Sequence, residues 1–207
     1  KTFGFASGGS GLGGSSSFLL SLLSSITNAF QIGMSNEEII KKACSIEIKN
    51  LKKPIGKQDQ YLCGNPGFNS FTFFDNENVQ KNKLSSQQLN TLKRLANNFY
   101  LIPTYQKRNS DNVLSAIRRD KDSVDKIIEI RSIASNFLLC KDERDHKIED
   151  LFHKSVKESW NIKKTLQNVM TGSLNEQYEM INKCIPNNWI RLIGAGSGGY
   201  FLISTKI

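Results

Sequence analysis

Gly8-Gly9-Ser10-Gly11-Leu12-Gly13-Gly14-Ser15-Ser16-Ser17 is the stretch on which the reading of this chain turns. Glycine has no Cβ, so the backbone here can turn tightly and come close to a ligand. Phe18, Leu19, Leu22, Leu23, Ile26 and Phe30 follow at three- and four-residue steps, a spacing that predicts a helix over 15–30 with one apolar face. The start of such a helix points unpaired N–H groups and a partial positive charge back at the loop, and the two together make a phosphate cradle. The plain structural alternative is a serine-glycine turn that only caps a helix.

Two familiar phosphate loops fit less well. A Walker loop needs Gly-Lys-Ser/Thr, and the stretch holds no lysine. A dinucleotide fingerprint is formally met by Gly9, Gly11 and Gly14. That fingerprint expects a second strand ending in an acidic residue about 20 positions on, whereas Ser35 and Glu38 form a capping-box pair that starts a second helix. Ile39, Ile40, Ala43, Cys44 and Ile46 supply its buried side, and Pro54 ends the region.

Two further stretches stand out. Gly56-Lys57-Gln58-Asp59-Gln60-Tyr61 places a carboxylate between two glutamines after a glycine, which a simple turn would also explain. Gly194-Ala195-Gly196-Ser197-Gly198-Gly199 lies between two apolar-rich strands, 189–193 and 200–203. A tight hairpin does not need four glycines in six residues; the surplus implies a backbone that must come close to a ligand or to another loop. Between these stretches the pattern predicts a strand over 70–75 closed by Asn76-Glu77-Asn78, a helix over 86–95 and a strand over 99–104. Helices over 110–117, 124–140, 147–167 and 174–184 follow.

Composition narrows the class. At 207 residues, 38% hydrophobic and 23% charged, the chain has the make-up of an ordinary globular protein of one compact or two small domains. It holds no apolar run of the ~18 residues a membrane span needs. The serine-broken apolar stretch near its start lacks a signal peptide's pattern, so a cytoplasmic location with no membrane partner is expected. Cys44, Cys63, Cys140 and Cys184 are dispersed and lack nearby histidines, which predicts reduced thiols. A net charge of +9 points to an anionic partner. With lysines scattered and no RNA-binding aromatic motif present, a small phosphorylated molecule is expected ahead of nucleic acid.

Three glycine-bearing motifs in this order resemble the GHMP kinase superfamily. Gly11-Leu12-Gly13 with its following serines is similar to that family's second motif, and residues 194–199 to its third. Gly56-Lys57-Gln58-Asp59-Gln60-Tyr61, the following Gly67-Phe68-Asn69, and the stretch 153–164 with Ser159-Trp160 resemble its D-glycero-D-manno-heptose 7-phosphate kinase branch. The resemblance implies an α+β, two-domain GHMP kinase fold. A truncated βαβ-containing N-terminal domain would span 1–96 and a ferredoxin-like C-terminal domain 97–207, with the nucleotide between them.

It also implies a chemistry: transfer of the γ-phosphate of ATP, with Mg²⁺, to the anomeric hydroxyl of a phosphorylated sugar, by a monomer or homodimer. Gly9, Ser10, Gly11, Leu12, Gly13, Gly14, Ser15 and Ser16 would cradle the nucleotide. Ser15 and Glu47 would hold the metal, and Asp59 would be the catalytic carboxylate. Lys57, Arg108, Gly196 and Ser197 would meet the substrate, and Thr104 matches a threonine of the branch. A degenerate relative that only binds a nucleotide or sugar phosphate is the alternative.

The chain departs from the family where Ser7 stands for proline, Gly14 for serine, Ile193 for serine and Ser197 for glycine. None of these removes a proposed metal ligand or the carboxylate. The family's first motif, which helps bind sugar, has no counterpart upstream of Gly8 in this sequence. These 207 residues alone are therefore expected to show negligible ATP turnover; robust sugar-dependent ADP release from the purified chain in a coupled assay would contradict that.

Overall fold

The structure is a computed structural model that describes residues 10–106, 110–141, 144–185 and 188–205. The chain divides into two compact units, Lys1–Lys83 and Leu84–Ile207.

The first unit is built on helices α1 (Gly14–Ala29), α2 (Asn36–Cys44) and α3 (Gln58–Cys63), followed by a hairpin of β1 (Ser70–Phe73) and β2 (Val79–Asn82). Helix α2 starts as the sequence predicts. The Ser35 side chain accepts from the Glu38 backbone N–H, and the Glu38 side chain accepts in return from the Ser35 backbone N–H. Its Ile39, Ile40, Ala43 and Cys44 are buried and join Leu20 and Tyr61 in one apolar core. Tyr61 also packs edge-on against Phe71 and Phe73, with ring centroids 5.5 and 5.7 Å away, which ties the hairpin to α3.

Two features of this unit differ from expectation. The apolar residues of α1 do not form one buried face. Leu20 is buried and Leu19 and Leu23 pack partly against the core, while Phe18, Leu22, Ile26 and Phe30 are exposed. The serines explain this, since Ser16 and Thr27 rather than the phenylalanines share the inward side with Leu20. The second difference follows α2, where the chain widens into a π-helical turn, Ser45–Asn50. Lys52 then adopts φ +51°, and this left-handed residue folds the chain back so that the Lys53 N–H donates to the Glu47 carbonyl at 3.0 Å. Single π-turns of this kind are rare and concentrate at functional sites.

The second unit contains α4 (Ser86–Ala96), β3 (Phe99–Pro103), α5 (Ser110–Arg119), α6 (Asp122–Leu139), α7 (Asp145–Lys163), α8 (Gly172–Cys184), β4 (Trp189–Leu192) and β5 (Tyr200–Ser204). Its sheet is antiparallel in the order β3-β5-β4, with Phe99 and Trp189 both opposite Ser204 and Leu192 opposite Phe201. Helix α4 carries a second reciprocal cap, between Ser85 and Gln88. It packs on α7, and buried Gln88 donates to the Phe137 carbonyl of α6 at 2.8 Å. Val113, Trp160, Leu166, Val169, Leu174, Ile190, Leu192, Phe201 and Ile203 form the core. The mixed helix-and-sheet architecture is α+β, as expected. No helix among the described residues is long and apolar enough to cross a membrane.

The glycine surplus between β4 and β5 has a physical cause. A Cβ on Gly196 would lie 2.7 Å from Val169 Cα, and one on Gly198 would lie 2.6 Å from the Gln106 carbonyl oxygen. Both residues have positive φ. Of the two partners left open by the sequence, neighbouring loops are what these backbones approach. The Ser197 N–H donates to Val169 O at 2.8 Å, its hydroxyl donates to Asn168 O at 2.7 Å, and the N–H of Thr104 donates to Gly199 O at 2.9 Å.

Leu192 is fully buried at the centre of this core. Leu192→Ala is expected to lower stability by about 3 kcal/mol in urea unfolding, because the removed methyl groups leave a cavity that packed neighbours refill only in part.

Candidate active site

The start of α1 differs from the starts of α2 and α4. Its N-cap is Gly13 at φ +72° and no side chain caps it. Its leading N–H groups therefore keep their capacity for an outside acceptor, beside the positive end of the helix dipole. Gly11 is also left-handed, at φ +83°, and the Leu12 N–H reaches the hydroxyl of buried Ser10 at 3.4 Å.

Glu47 lies against this helix start. Its side chain is 2% exposed, and it comes from the π-helical turn. Ser15 Oγ donates to Oε1 at 2.8 Å and Ser16 Oγ to Oε2 at 3.4 Å. Gln60 Nε2 donates to Oε2 at 2.6 Å, and Lys53 Nζ to Oε1 at 2.9 Å. Lys53 Nζ also stands 3.3 Å from Ser15 Oγ. Burial pushes the Glu47 carboxyl upward in pKa. The hydrogen bonds from Lys53, Gln60 and Ser15, together with the Lys53 charge, outweigh that and hold it below the ordinary carboxylate value. Glu47 is therefore a buried carboxylate anion with both oxygens satisfied.

Helix α3 packs against α1 and meets the glycine loop directly, with the Cys63 thiol 3.6 Å from the Gly13 carbonyl. Asp59 occupies the first turn of α3 on its exposed side, one residue before the buried Gln60 that reaches Glu47. Ser15, Ser16 and Glu47 are thus in direct contact, and Asp59 stands on the helix that closes the same corner. Lys57 is drawn elsewhere, since its ammonium donates to the Glu77 carbonyl at 3.1 Å and lies 3.6 Å from the Glu77 carboxylate. Gly196, Ser197 and Thr104 belong to the second unit, where they hold loops to one another. Gly9 and Arg108 lie outside the described residues.

Lys53 and Gln60 are functional candidates that the sequence pattern does not single out. Gln60 lies inside the Gly56–Tyr61 stretch, but only its burial shows that it turns inward. In sequence Lys53 is half of a Lys52-Lys53 pair with the look of a solvated face; the π-turn and the left-handed Lys52 bring it back. The hydroxyl of Ser15 and the carboxylate of Glu47 are hard oxygen donors suited to Mg²⁺. That ion is commonly held by one or two protein groups together with substrate phosphates, so the residues present fit it. The four cysteines are free thiols, as expected, and burial pushes Cys44 up to about 11.

Residues 7–67 match the GHMP kinases N terminal domain family. Over 203 residues the chain is 25% identical to a D-glycero-alpha-D-manno-heptose 7-phosphate kinase of Campylobacter jejuni, covering 96% of this chain and 58% of that protein. Among solved structures, a D-glycero-D-manno-heptose 1-phosphate kinase from Bacteroides thetaiotaomicron superposes with a TM-score of 0.66. It is 20% identical, with 98% of this chain and 55% of that one covered. The mevalonate kinase of Methanococcus jannaschii superposes with a TM-score of 0.68 at 17% identity, with 94% and 56% covered. At these identities the structures show a shared fold. The chain spans little more than half the length of each of these relatives.

Gly13 and Gly14 separate backbone need from helix propensity. At Gly13 a side chain would meet both a left-handed φ and the Cys63 sulfur at 2.7 Å, whereas at Gly14 a Cβ meets open space. Gly13→Ala is expected to destabilise by about 1–2 kcal/mol. Gly14→Ala, at a helical position, is expected to be neutral or stabilising by up to about 1 kcal/mol. Thermal unfolding of the two variants checks the contrast, and equal losses would refute it.

Proposed function

We propose that this chain, whose residues 7–67 match the GHMP kinases N terminal domain family, carries the catalytic machinery of an ATP-dependent sugar kinase of that superfamily. The observation that carries this reading is the convergence of Ser15, Ser16 and Glu47 at the uncapped start of α1. A helix N-terminus with free amides receives the phosphates. A hydroxyl and a buried carboxylate beside it supply the oxygen pair that a nucleotide-bound cation requires.

Phosphoryl transfer asks little covalent work of a protein; it needs positioning and charge neutralisation. The loop amides from Gly11 to Ser15 would hold the β- and γ-phosphates. Ser15 and Glu47 would hold Mg²⁺, which would supply charge neutralisation on the transferring group. Asp59, on the exposed turn of α3, orients the acceptor hydroxyl. The acceptor oxygen forms its bond to the γ-phosphorus as the bond to the ADP oxygen breaks, and the acceptor proton passes to the Asp59 carboxylate.

The anomeric hydroxyl of D-glycero-D-manno-heptose 7-phosphate is the favoured acceptor, supported by the name of the Campylobacter relative and by the Gly56–Tyr61 motif. A nucleotide- or sugar-phosphate-binding relative without catalysis is the competing reading, and Asp59 separates the two. Asp59→Asn is expected to lower phosphoryl transfer about 10²–10⁴-fold, the scale of a lost general base, with ATP affinity retained by equilibrium binding. Undiminished transfer would remove Asp59 from the chemistry. Absence of transfer where ATP binding is retained would favour the binding reading.

A further inference from the structure

The Lys53 ammonium stands 2.9 Å from Glu47 Oε1 and 3.3 Å from Ser15 Oγ. These two oxygens are the pair proposed for Mg²⁺, and the role inferred here for Lys53 rests on that proposal. Ser15 gives its own proton to Glu47 Oε1, which leaves the hydroxyl lone pairs facing Lys53. Glu47 Oε2 is taken by Gln60 and Ser16, so Oε1 is the oxygen left for a cation. We infer that Lys53 is a tethered counter-ion that fills the divalent-cation position in the metal-free protein and competes with Mg²⁺ for it.

Space and charge both oppose joint occupancy. A magnesium ion binds oxygen at about 2.0–2.1 Å. An ammonium already on the same carboxylate oxygen and the same hydroxyl would share that place with a divalent ion of like charge. One must leave, and Lys53 can. Its side chain is 31% exposed on a flexible stem, while its backbone N–H stays bound to the Glu47 carbonyl at 3.0 Å. The ammonium accounts for how a carboxylate with 2% exposure remains charged and correctly aimed before a metal arrives. It also makes the metal site weaker than the hydroxyl–carboxylate pair alone would be.

The test is Mn²⁺ binding, followed by loss of the free-ion paramagnetic resonance signal, in the purified protein and in K53M, K53Q and E47Q. K53M is expected to bind Mn²⁺ about fivefold tighter than the parent, the scale of a part-exposed ion pair, and to gain a larger Mn²⁺-dependent rise in unfolding temperature. K53Q, which keeps an N–H donor for Glu47 without the charge, carries the same expectation should K53M fail to fold. E47Q is expected to lose the binding. If E47Q loses it while the Lys53 variants bind as the parent does or more weakly, the counter-ion inference falls and the metal assignment stands. If Mn²⁺ binding is indifferent to E47Q, or absent throughout, the metal assignment falls and takes the inference with it.

Discussion

The Glu47 carboxylate is the constraint around which the first unit is arranged. Removing a carboxylate from water costs several kcal/mol even after the surroundings relax, and Glu47 is 2% exposed. It stays charged because four donors from three segments converge on its two oxygens: Ser15 and Ser16 from α1, Lys53 from the return of the π-turn, and Gln60 from α3. Each donor ties its segment to the others. The anion therefore fixes the start of α1 beside α3, and so places the helix that carries Asp59 against the glycine loop. The α1 dipole, positive at this end, favours the same arrangement.

How much of this is legible in the sequence depends on the range over which each signal acts. The α2 cap is a four-residue signal, written in Ser35 and Glu38, and it is present as read. The helices and strands of the second unit follow apolar periodicity and fall where that periodicity puts them, within a few residues at their ends. Phe18, Leu22 and Ile26 share the helical spacing of a buried stripe yet are exposed, because spacing says which residues share a face and not which face is covered. Glu47 and Asp59 emerge only through resemblance to a family; no local pattern separates Glu47 from the other acidic residues of the chain. Lys53 is not legible at all. Its role depends on a π-turn and a left-handed lysine, and neither propensity nor periodicity encodes them.

The two glycine-rich loops show how one composition serves two ends. In the first, Gly11 and Gly13 take left-handed angles that deliver the chain into α1 with its amides uncapped, so glycine there leaves donors open to an outside acceptor. In the second, Gly196 and Gly198 admit the backbones of Val169 and Gln106 closer than any Cβ allows, so glycine there closes a gap within the protein. Sequence alone cannot tell these apart, since both need the missing side chain. The distinction lies in what stands opposite, and that is a property of the tertiary structure.

A phosphate cradle at the start of α1, as proposed, would stand beside a buried carboxylate, and that poses an electrostatic problem. The amides at the start of α1 attract phosphate, yet the Glu47 carboxylate beside them is itself negative, and two anions brought close in a part-buried site repel strongly. A triphosphate can settle there only with a cation between it and Glu47. The chain supplies such a charge in Lys53, and the Ser15–Glu47 oxygen pair is suited to a divalent ion that would take its place. Without a cation the carboxylate would serve against the ligand that the helix invites. Retaining a buried anion at the mouth of an anion site is costly for binding alone. It is understandable where the charge on the phosphates must be held by a metal during transfer, and this asymmetry supports the proposed phosphoryl chemistry over simple phosphate capture.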